Sequence, residues 1–296
     1  SATISAQIAS LRSSSDLMKS YSNKVAAITG AGSGMGRSLP LKLAARNCHI
    51  AISDVDMHHL SETARLAASY GVKVTSRRVD VANKEEVYAW AAEVVHDHGK
   101  CNLIFNNAGV GFGSTVEGFD YPDAEWIVQI NFWGVVYGTK AFLPHLRASG
   151  EGHVVNTSSL FGLVGFPGHS TYNATKFAVR GFTEALRIEL EMMRAPVSAT
   201  CVHPGGIKTN IARAARINAS VCDLGIKDPE KSRARVEKMF RVTADDAAET
   251  ILRGVQKNQR RVLVGNDAKA YDLVQRLLPG RYQWLLVKAA RSVTSA

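Results

Sequence analysis

Three residues in the middle of the chain, Ser159, Tyr172 and Lys176, carry side chains suited to acid–base chemistry. Tyr172 and Lys176 stand four residues apart, and the cap-like Ser170 and Thr171 ahead of an apolar run predict a helix that turns both side chains to one face. A free phenol, with a pKa near ~10, exchanges protons poorly at neutral pH. A fixed neighbouring ammonium favours the phenolate, so Lys176 is expected to lower the pKa of Tyr172.

Ser159 closes an apolar segment, His153 to Thr157, that is typical of a strand. The end of this strand is expected to lie beside the start of the Tyr172 helix, where the Ser159 hydroxyl can hydrogen-bond the oxygen of a carbonyl or an alcohol. The three groups together predict a site that exchanges a proton with a substrate oxygen. Taken alone, the tyrosine–lysine pair is also a common feature of helix surfaces, so its meaning depends on the elements around it.

A glycine-rich turn near the N-terminus joins a predicted strand to a predicted helix. Lys24 to Thr29 is the apolar strand, and a helical pattern follows the glycines up to about Asn47. Glycines let the backbone approach a pyrophosphate closely, and a helix N-terminus offers unpaired N–H groups and partial positive charge. The residues predicted to contact such a group are Gly30, Ser33, Gly34, Met35 and Gly36.

Asp54 follows a second predicted strand, Cys48 to Ser53, and stands eighteen residues after Gly36. A carboxylate at this point can accept both ribose hydroxyls of an adenosine and repels a 2′-phosphate, which favours NAD over NADP. A turn aspartate is the alternative interpretation, and Asp56 competes for the same role. Three arginines that could accommodate a phosphate leave NADP possible: Arg37, Arg77 and Arg78.

Four motifs in a fixed order resemble the short-chain dehydrogenase/reductase family over roughly residues 22 to 265. They are TGxxxGxG from Thr29, NNAG from Asn106, Ser159 thirteen residues before the tyrosine, and the YxxxK of Tyr172 and Lys176. The resemblance implies that Tyr172 is the catalytic acid/base and that Ser159 orients the substrate oxygen. It also implies that Lys176 lowers the tyrosine pKa and holds the nicotinamide ribose.

The resemblance assigns further residues to the cofactor. Asp80 is expected to contact the adenine amino group with support from the Val81 backbone. Asn107, Ala108 and Gly109 are expected to let the cofactor ribose pack against the backbone, while asparagine amides tie neighbouring strands. An ordinary asparagine–glycine turn is the alternative for this motif.

A PGxxxT loop after the predicted strand Val197 to Val202 resembles the segment that receives the nicotinamide. The resemblance implies contacts from Pro204, Gly205, the Ile207 backbone and the Thr209 side chain. Two neighbouring histidines lack a triad partner or metal spacing and are interpreted as structural or substrate-lining: His169 and His203.

A long helix predicted over residues 122 to 148 contains Asn131, a poor residue for a helix interior because its amide competes for backbone groups. In the family that the chain resembles, an asparagine here disturbs the helix and holds a water linking the active-site lysine to solvent. Asn131 is therefore the fourth predicted catalytic residue. A solvated or capping asparagine is the alternative.

The segments after Gly109, Ser159 and Gly206 are expected to form the walls of a substrate pocket, because the carboxyl ends of strands carry the site in such folds. These walls are apolar, which predicts a small-molecule substrate that is a bulky hydrophobic alcohol or ketone. The substrate is expected to bind beneath a mobile lid over residues 210 to 242. The same residues could instead pack the lid or form a subunit interface. The predicted lining residues are Phe112, Leu160, Phe166 and Ile211.

Length and pattern predict one doubly wound α/β domain with a mostly parallel, seven-stranded sheet, since 296 residues with 46% hydrophobic content can bury a large core. Residues 1–20 are predicted to be a flexible or foreign extension, and 21–266 the dinucleotide-binding catalytic domain with its lid. Residues 267–296 are expected to form a helical C-terminal extension broken at Pro279 and Gly280.

The net charge of +10 is concentrated in the C-terminal third. Residues 207–296 hold 18 Lys and Arg against 9 Asp and Glu, a net of +9, whereas residues 1–206 hold 18 against 17, a net of +1. A solvated helical face is the default explanation, followed by contact with an anionic membrane surface or an acidic partner, and last by nucleic acid, for which no motif is present.

The protein is expected to be cytoplasmic, to form a homodimer or homotetramer and to hold no metal. No apolar run reaches the ~18 residues of a membrane span, and the four cysteines lack metal-binding spacing. The predicted activity is NAD-dependent interconversion of a secondary alcohol and a ketone. The alternatives are a non-catalytic dinucleotide sensor and a basic protein that binds membrane surfaces or polyanions on the same fold.

Overall fold

A parallel sheet of seven strands forms the centre of the molecule in a computed structural model that describes residues 18–294. The strands are β1 (Val25–Thr29), β2 (His49–Asp54), β3 (Val74–Arg78), β4 (Leu103–Asn106), β5 (Phe112–Gly113), β6 (Gly152–Thr157), β7 (Val197–Pro204), β8 (Ile207–Lys208), β9 (Arg216–Ile217), β10 (Val242–Thr243) and β11 (Arg261–Val264). The central sheet has the order β11–β7–β6–β4–β1–β2–β3, with every neighbouring pair parallel. The predicted seven-stranded, doubly wound class is confirmed.

Helices cover both faces of this sheet. They are α1 (Gly34–Ala44), α2 (Met57–Ala68), α3 (Lys84–His98), α4 (Tyr121–Val128), α5 (Gly134–Ala148), α6 (Ser170–Met192), α7 (Pro229–Met239), α8 (Ala244–Gln256), α9 (Asn266–Leu277) and α10 (Tyr282–Thr294). The order reverses beside β1, whose neighbours are β2 on one side and β4 on the other. A crevice outside the carboxyl ends of the strands at such a switch point is where open α/β sheets bind ligands.

The apolar composition of the inner strands follows from their burial on both faces. All five residues of β1 and all eight of β7 are buried, as a parallel sheet between two helix layers requires. On one face, Leu39 and Leu43 of α1 join Ile251 of α8 in the core. On the other, the rings of Trp90 and Phe142 meet edge to face with centroids 5.1 Å apart.

Several helices begin at a side chain that accepts a hydrogen bond from the first turn, satisfying one of the free N–H groups there. Asp56 caps α2, Asn83 caps α3, Asp120 caps α4 and Thr243 caps α8. These local signals fix where the helices start, and therefore where the loops at the carboxyl edge of the sheet begin and end.

The described chain begins with a packed segment. Met18 is fully buried, and its backbone N–H donates to Glu151 Oε1 at 2.9 Å. Tyr21 is also buried, and its hydroxyl donates to the Leu252 carbonyl at 2.7 Å. The extension predicted for residues 1–20 is therefore wrong at its boundary, because residues 18–20 belong with the fold. Residues 1–17 lie outside the described part of the chain.

The segment predicted as a lid, residues 210–242, is joined to the body at several points. β9 pairs with β5, and β10 pairs with β8, so that short two-strand ladders bracket the segment. Arg216 lies with its guanidinium 3.7 Å from the ring centroid of Trp126 and forms a 2.6 Å ion pair with Asp123. The mobility of this segment stays a prediction.

Two helices on either side of Pro279 and Gly280 form the C-terminal extension, with the break where the sequence predicted it. Leu160, Val164, Ala268 and Tyr282 make a small buried cluster between these helices and the loop after β6. Within residues 18–294, none of the helices combines the length and the apolar character that crossing a membrane requires.

Candidate active site

Helix α6 brings Tyr172 and Lys176 together one turn apart, as the spacing predicted. The helix begins at Ser170 itself, so the residue at the cap position is His169 and not Ser170 or Thr171. The Lys176 ammonium lies 5.6 Å from the centroid of the Tyr172 ring and donates to the Thr157 carbonyl at 3.2 Å. The lysine is thereby anchored to the carboxyl end of β6.

Ser159 lies at the same strand end and completes the group. Its hydroxyl accepts a 3.1 Å hydrogen bond from the Phe161 N–H and lies within hydrogen-bonding reach of the Tyr172 phenol. The neighbouring Ser158 hydroxyl donates to the Lys176 carbonyl at 2.7 Å, which ties the strand end to the helix. The structure therefore places Ser159, Tyr172 and Lys176 close together, as the sequence predicted.

Burial shifts the pKa values of the tyrosine and the lysine in opposite directions. Loss of water around Tyr172 raises its pKa to about 12, and a hydrogen bond with Ser159 partly opposes that rise. Burial lowers the pKa of Lys176 to about 8. In the protein alone the pKa of Tyr172 thus shifts opposite to the predicted lowering, because burial penalises the phenolate and the opposing contribution comes from Ser159.

Asn131 lies at a π-helical turn, Gln129–Trp133, that separates α4 from α5. The predicted interruption of the long helix is thus present. The fully buried Asn131 side chain accepts from the Val110 N–H at 2.8 Å and donates to the Val110 carbonyl at 2.9 Å. These two hydrogen bonds to the Val110 backbone fix the loop that follows β4. Gly109, in that loop, is adjacent to both the Asn131 amide and the Lys176 ammonium.

Two positions of the glycine-rich turn between β1 and α1 have room for glycine only. Gly30 has a φ of +66°, and a Cβ there would lie 2.7 Å from the Ala108 Cα. A Cβ on Gly36 would lie 1.9 Å from the Gly30 carbonyl oxygen. The remaining residues of the turn, Ser33, Gly34 and Met35, start α1 at the carboxyl edge of β1. The result is a backbone cradle open to a ligand at a helix N-terminus.

Thr29 and Asn107 lock this cradle to the loop after β4. The Thr29 hydroxyl accepts from the N–H groups of Asn107 at 3.0 Å and Ala108 at 3.1 Å. The Asn107 amide donates to the Thr29 carbonyl at 3.2 Å and to the Gly30 carbonyl at 3.4 Å. One layer deeper, Asn106 donates to Asn156 at 2.8 Å and so joins β4 to β6. The TGxxxGxG and NNAG motifs are therefore held together by hydrogen bonds as one unit.

Asp54 and its competitor Asp56 have distinct positions. Asp54 ends β2 beside the cradle, where its carboxylate accepts from the Gly32 N–H at 2.8 Å and from the Asp56 N–H at 3.0 Å. Asp56 is exposed and occupied as the cap of α2, where it accepts from the His59 backbone N–H and contacts the His59 ring. Only Asp54 faces the glycine turn.

Asp80 and Val81 follow β3 at the same edge of the sheet. The Asp80 carboxylate accepts from the Ala82 N–H at 2.9 Å, and the Asp80 N–H donates to Glu86. Val81 is buried against Gly134 at the start of α5. The Val79 N–H donates to the Asp54 carbonyl at 3.1 Å, so Asp80 and Val81 follow directly after the residue that joins β3 to the end of β2, on the side expected to receive an adenine.

The loop after β7 contains Pro204, Gly205, Ile207 and Thr209, with Ile207 buried and Thr209 next to Gly34 of the cradle. Its position depends on a residue that the sequence analysis missed. Asp267, in the first turn of α9, accepts from the Gly206 N–H at 2.6 Å. A single aspartate sixty-one residues away carries no sequence signal for this contact.

The two histidines near the site are each tied to a backbone carbonyl. His203 bonds through Nδ1 to the Ser159 carbonyl at 3.0 Å, and burial lowers its pKa to about 4. His169 bonds through Nδ1 to the Phe112 carbonyl at 3.1 Å, and burial lowers its pKa as well. Both rings are therefore uncharged at neutral pH and hold loops of the site in place.

The residues predicted to line a substrate pocket lie in different surroundings. Phe112 and Leu160 are buried, with Leu160 in the cluster beneath the C-terminal helices, whereas Ile211 is 39% exposed on the lid. Phe166 packs on Phe161 with ring centroids 4.5 Å apart. Phe161, which the sequence analysis missed, is nearer the chemistry, since its ring lies 5.4 Å from that of Tyr172.

Known proteins resemble this chain along most of its length. Residues 24–219 match the family model described as short chain dehydrogenase. The Mycobacterium tuberculosis protein SadH, whose name describes it as an oxidoreductase, is 50% identical over 269 residues, covering 91% of this chain and 96% of SadH. Human estradiol 17-beta-dehydrogenase 11 is 28% identical over 265 residues, covering 89% of this chain and 82% of its own.

A solved structure extends the similarity to three dimensions. A short-chain dehydrogenase/reductase from Burkholderia phymatum in complex with NAD superposes with a TM-score of 0.80 at 30% identity, covering 87% of this chain and 94% of that one. The shared family binds NAD or NADP. With its family model, its half-identical relative and its shared sheet, the chain belongs to the short-chain dehydrogenase family and is an oxidoreductase.

Proposed function

We propose that this protein interconverts a secondary alcohol and a ketone on a bulky hydrophobic substrate, with NAD as the hydride carrier. The observation that carries the proposal is the assembly of Ser159, Tyr172 and Lys176 beside the glycine cradle at the carboxyl edge of one sheet. The cradle suits a dinucleotide because glycine at Gly30 and Gly36 lets the turn pack tightly on Ala108 and Asn107 at the N-terminus of α1, where backbone N–H groups can bind a pyrophosphate.

The residues of the chain divide the proton chemistry among them. NAD, when bound, supplies or accepts the hydride. Ser159 orients the substrate oxygen, and Tyr172 donates its proton to that oxygen in ketone reduction, since a phenol with a pKa of about 12 is neutral at neutral pH. Lys176, with a pKa of about 8, is still mostly charged and stabilises the phenolate that remains. In alcohol oxidation the same groups act in reverse.

We assign Asn131 to the route that returns the proton to solvent. Its amide is fixed by Val110 and lies next to Gly109, which is also adjacent to the Lys176 ammonium. This arrangement supports a water-linked path from Lys176 past Asn131. It also assigns Gly109 to keeping that path open, since a side chain there would crowd both groups.

NAD is favoured over NADP because the arginines that could bind a 2′-phosphate are already engaged. Asp54 lies beside the cradle with a carboxylate that repels a phosphate and can accept ribose hydroxyls. The arginine contacts are Arg37 with the Thr63 hydroxyl and the His59 carbonyl, Arg77 with Glu93, and Arg78 with Glu86.

Asp54→Ala is expected to weaken NAD binding by about 1.5 to 3 kcal/mol and NADP binding far less, if a charged hydrogen bond to ribose is lost. Asp54→Asn is the matched control, since it keeps an acceptor for the Gly32 N–H while removing the charge. Isothermal titration of both cofactors measures the effect. A wild-type protein that binds NADP more tightly than NAD would contradict the assignment of Asp54.

The substrate class follows from the aromatic and apolar surroundings of Tyr172. Phe161 lies beside its ring, and Phe166 and Tyr271 continue the same wall with centroids 5.2 Å apart. Each apolar contact that becomes buried is worth up to ~1.5 to 3 kcal/mol. The name of one relative, estradiol 17-beta-dehydrogenase 11, points to a steroid alcohol and supports the same class.

A panel of alcohols and ketones of increasing size, followed by the absorbance of the reduced cofactor with NAD and NADP in parallel, tests the function. We expect kcat/KM to rise with the apolar size of the substrate and to be higher with NAD. Phe161→Ser should flatten the rise. Cofactor binding without turnover on any member of the panel would instead favour a dinucleotide sensor.

We also infer a homodimer or homotetramer, since members of the family are commonly oligomeric. Helix α6 supports this with an exposed apolar stripe of Phe177, Ile188 and Met192. Light scattering coupled to size-exclusion chromatography measures the mass directly. Met192→Glu and Ile188→Glu are expected to lower that mass, and a monomeric wild type would contradict the inference.

A further inference from the structure

The two C-terminal helices expose a band of large apolar side chains, which we call the C-terminal patch. Leu277 is 70% exposed and Trp284 is 64% exposed, although both are residue types that are usually buried. The members of the patch are Leu273, Leu277, Leu278, Trp284, Leu285 and Val287.

The patch lies opposite the surface that attaches the helices to the body. On α10, Tyr282 and Leu286 stand one turn apart and pack into the buried cluster beneath the helices. Trp284 and Val287 stand on other sides of the same helix and face outward. Over residues 282–288, α10 is therefore apolar both toward the fold and toward the surroundings, and the described part of the chain covers one of these faces only.

Within residues 266–288, the exposed charged side chains are all cationic. Arg281 is exposed in the turn between the helices, and the Lys288 ammonium lies 5.5 Å from the ring centroid of Trp284. The two acidic residues between 266 and 288 face inward. Asp267 accepts from the Gly206 N–H, and the buried Asp272 pairs with Arg261 at 2.7 Å and with Arg276 at 3.0 Å.

We propose that the C-terminal patch docks on the surface of an anionic lipid bilayer. Tryptophan and leucine settle at the boundary between headgroups and acyl chains, and flanking lysine and arginine reach lipid phosphates. A second copy of this chain is a poorer occupant, because a twofold interface through the patch would bring the Arg281 and Lys288 side chains against cations of the other copy. Charge complementarity thus selects the bilayer.

Docking here places the bilayer next to the candidate active site. Tyr271 of α9 contacts Phe166 with ring centroids 5.2 Å apart, and Phe166 continues to Phe161 beside Tyr172. A hydrophobic alcohol or ketone dissolved in the membrane would therefore reach the site across one helix. This last step rests on the proposed function, whereas lipid binding itself does not.

Vesicle flotation without substrate tests the docking. We expect the protein to float with vesicles of phosphatidylcholine and phosphatidylglycerol, and to stay behind with pure phosphatidylcholine or at high salt, which screens the cations. Trp284→Ser should lower the partition coefficient about tenfold. Arg281→Gln and Lys288→Gln should each lower it about fivefold. Tyr70→Ser removes an exposed aromatic ring from a distant helix end and should change nothing.

Two controls keep the outcomes distinct. Thermal unfolding of each variant should match the wild type, since Trp284, Arg281 and Lys288 are exposed. Light scattering should give an unchanged mass for Trp284→Ser. The proposal is overturned if the wild-type protein does not bind anionic vesicles. It is also overturned if Trp284→Ser forms a smaller oligomer than the wild type, because the patch would then be an interface between copies of the chain. Turnover on the alcohol panel is read separately, so its failure leaves the lipid result intact.

Discussion

The phenol of Tyr172 and the ammonium of Lys176 share surroundings from which water is largely excluded. Burial favours the neutral form of each group, so that the tyrosine keeps its proton at neutral pH and the lysine carries its charge at a cost. A neutral phenol is a competent donor to a ketone oxygen. The reverse reaction needs the phenolate, whose formation the adjacent cation has to support.

Tyr172→Phe should retain cofactor binding and lose roughly 10²- to 10⁴-fold in kcat, because the proton donor is removed while the ring still packs on Phe161. Stopped-flow turnover and cofactor titration measure the two effects separately. Phe161→Leu is a control that disturbs the packing and leaves the hydroxyl. Near-native turnover of Tyr172→Phe would remove Tyr172 from the mechanism.

Lys176→Met should abolish turnover without lowering stability at pH 7. The folded wild type buries an ammonium whose pKa falls from 10.5 to about 8, which corresponds to a cost of about 3 kcal/mol that methionine avoids. Because the folded pKa is the lower one, this cost is fully present below pH 8 and disappears as pH rises toward 10.5. Denaturant unfolding of both proteins across that range should show the gap narrowing, and a constant gap would contradict the assignment.

At the scale of elements, the C-terminal helix α9 reaches into the site that the first two thirds of the chain build. Its first turn supplies Asp267, which holds the Gly206 N–H in the loop expected to receive the nicotinamide. The same helix carries Tyr271 against Phe166. The extension therefore belongs to the site as well as to the surface.

Asp267→Ala should raise KM for NAD several-fold while leaving kcat within about threefold, because it frees a loop and removes no group from the proton chemistry. Asp267→Asn keeps an acceptor for the Gly206 N–H and should recover most of the loss. Initial-rate kinetics with varied cofactor give both constants. An unchanged KM in the alanine variant would show that the loop needs no support from α9.

Local sequence patterns predicted the helices and strands of the site. The features that they did not predict depend on packing between segments that are distant in the sequence. The four-residue spacing of Tyr172 and Lys176 and the misfit of Asn131 in a helix are local, and both are present as predicted. The direction of the Tyr172 pKa shift depends on burial by distant segments, which spacing does not contain. Asp267 and Phe161 were missed for the same reason, since an aspartate in a turn and a phenylalanine beside a leucine have no local mark of their contacts.

At the scale of the molecule, the first described residues pack against a helix from the C-terminal part of the chain. Met18 and Tyr21 are buried in the core that α8 completes, more than two hundred residues later in the chain. The C-terminal third, residues 207–296, carries a net charge of +9. This positive charge would favour the approach of a dinucleotide, whose pyrophosphate is anionic.

Deleting residues 1–17 should leave turnover and the thermal midpoint nearly unchanged, since that segment is poor in large apolar residues. Deleting residues 1–21 should destabilise the protein by about 2 to 5 kcal/mol, because it also removes two fully packed side chains. Calorimetry of the two truncations compares them directly. A clear loss in the shorter deletion would show that residues 1–17 contribute to the fold.

The stack of Arg216 on Trp126 ties the lid to α4 through an indole ring. A guanidinium 3.7 Å from that ring perturbs its excited state, and the perturbation ends when the two separate. Of the three other tryptophans, Trp90 is buried in the core, Trp133 stacks on Tyr137 at the end of the π-helical turn, and Trp284 lies on the C-terminal helix. The contribution of Trp126 to the fluorescence emission therefore reports, in real time and without an added dye, whether the lid is in contact with α4 through Arg216.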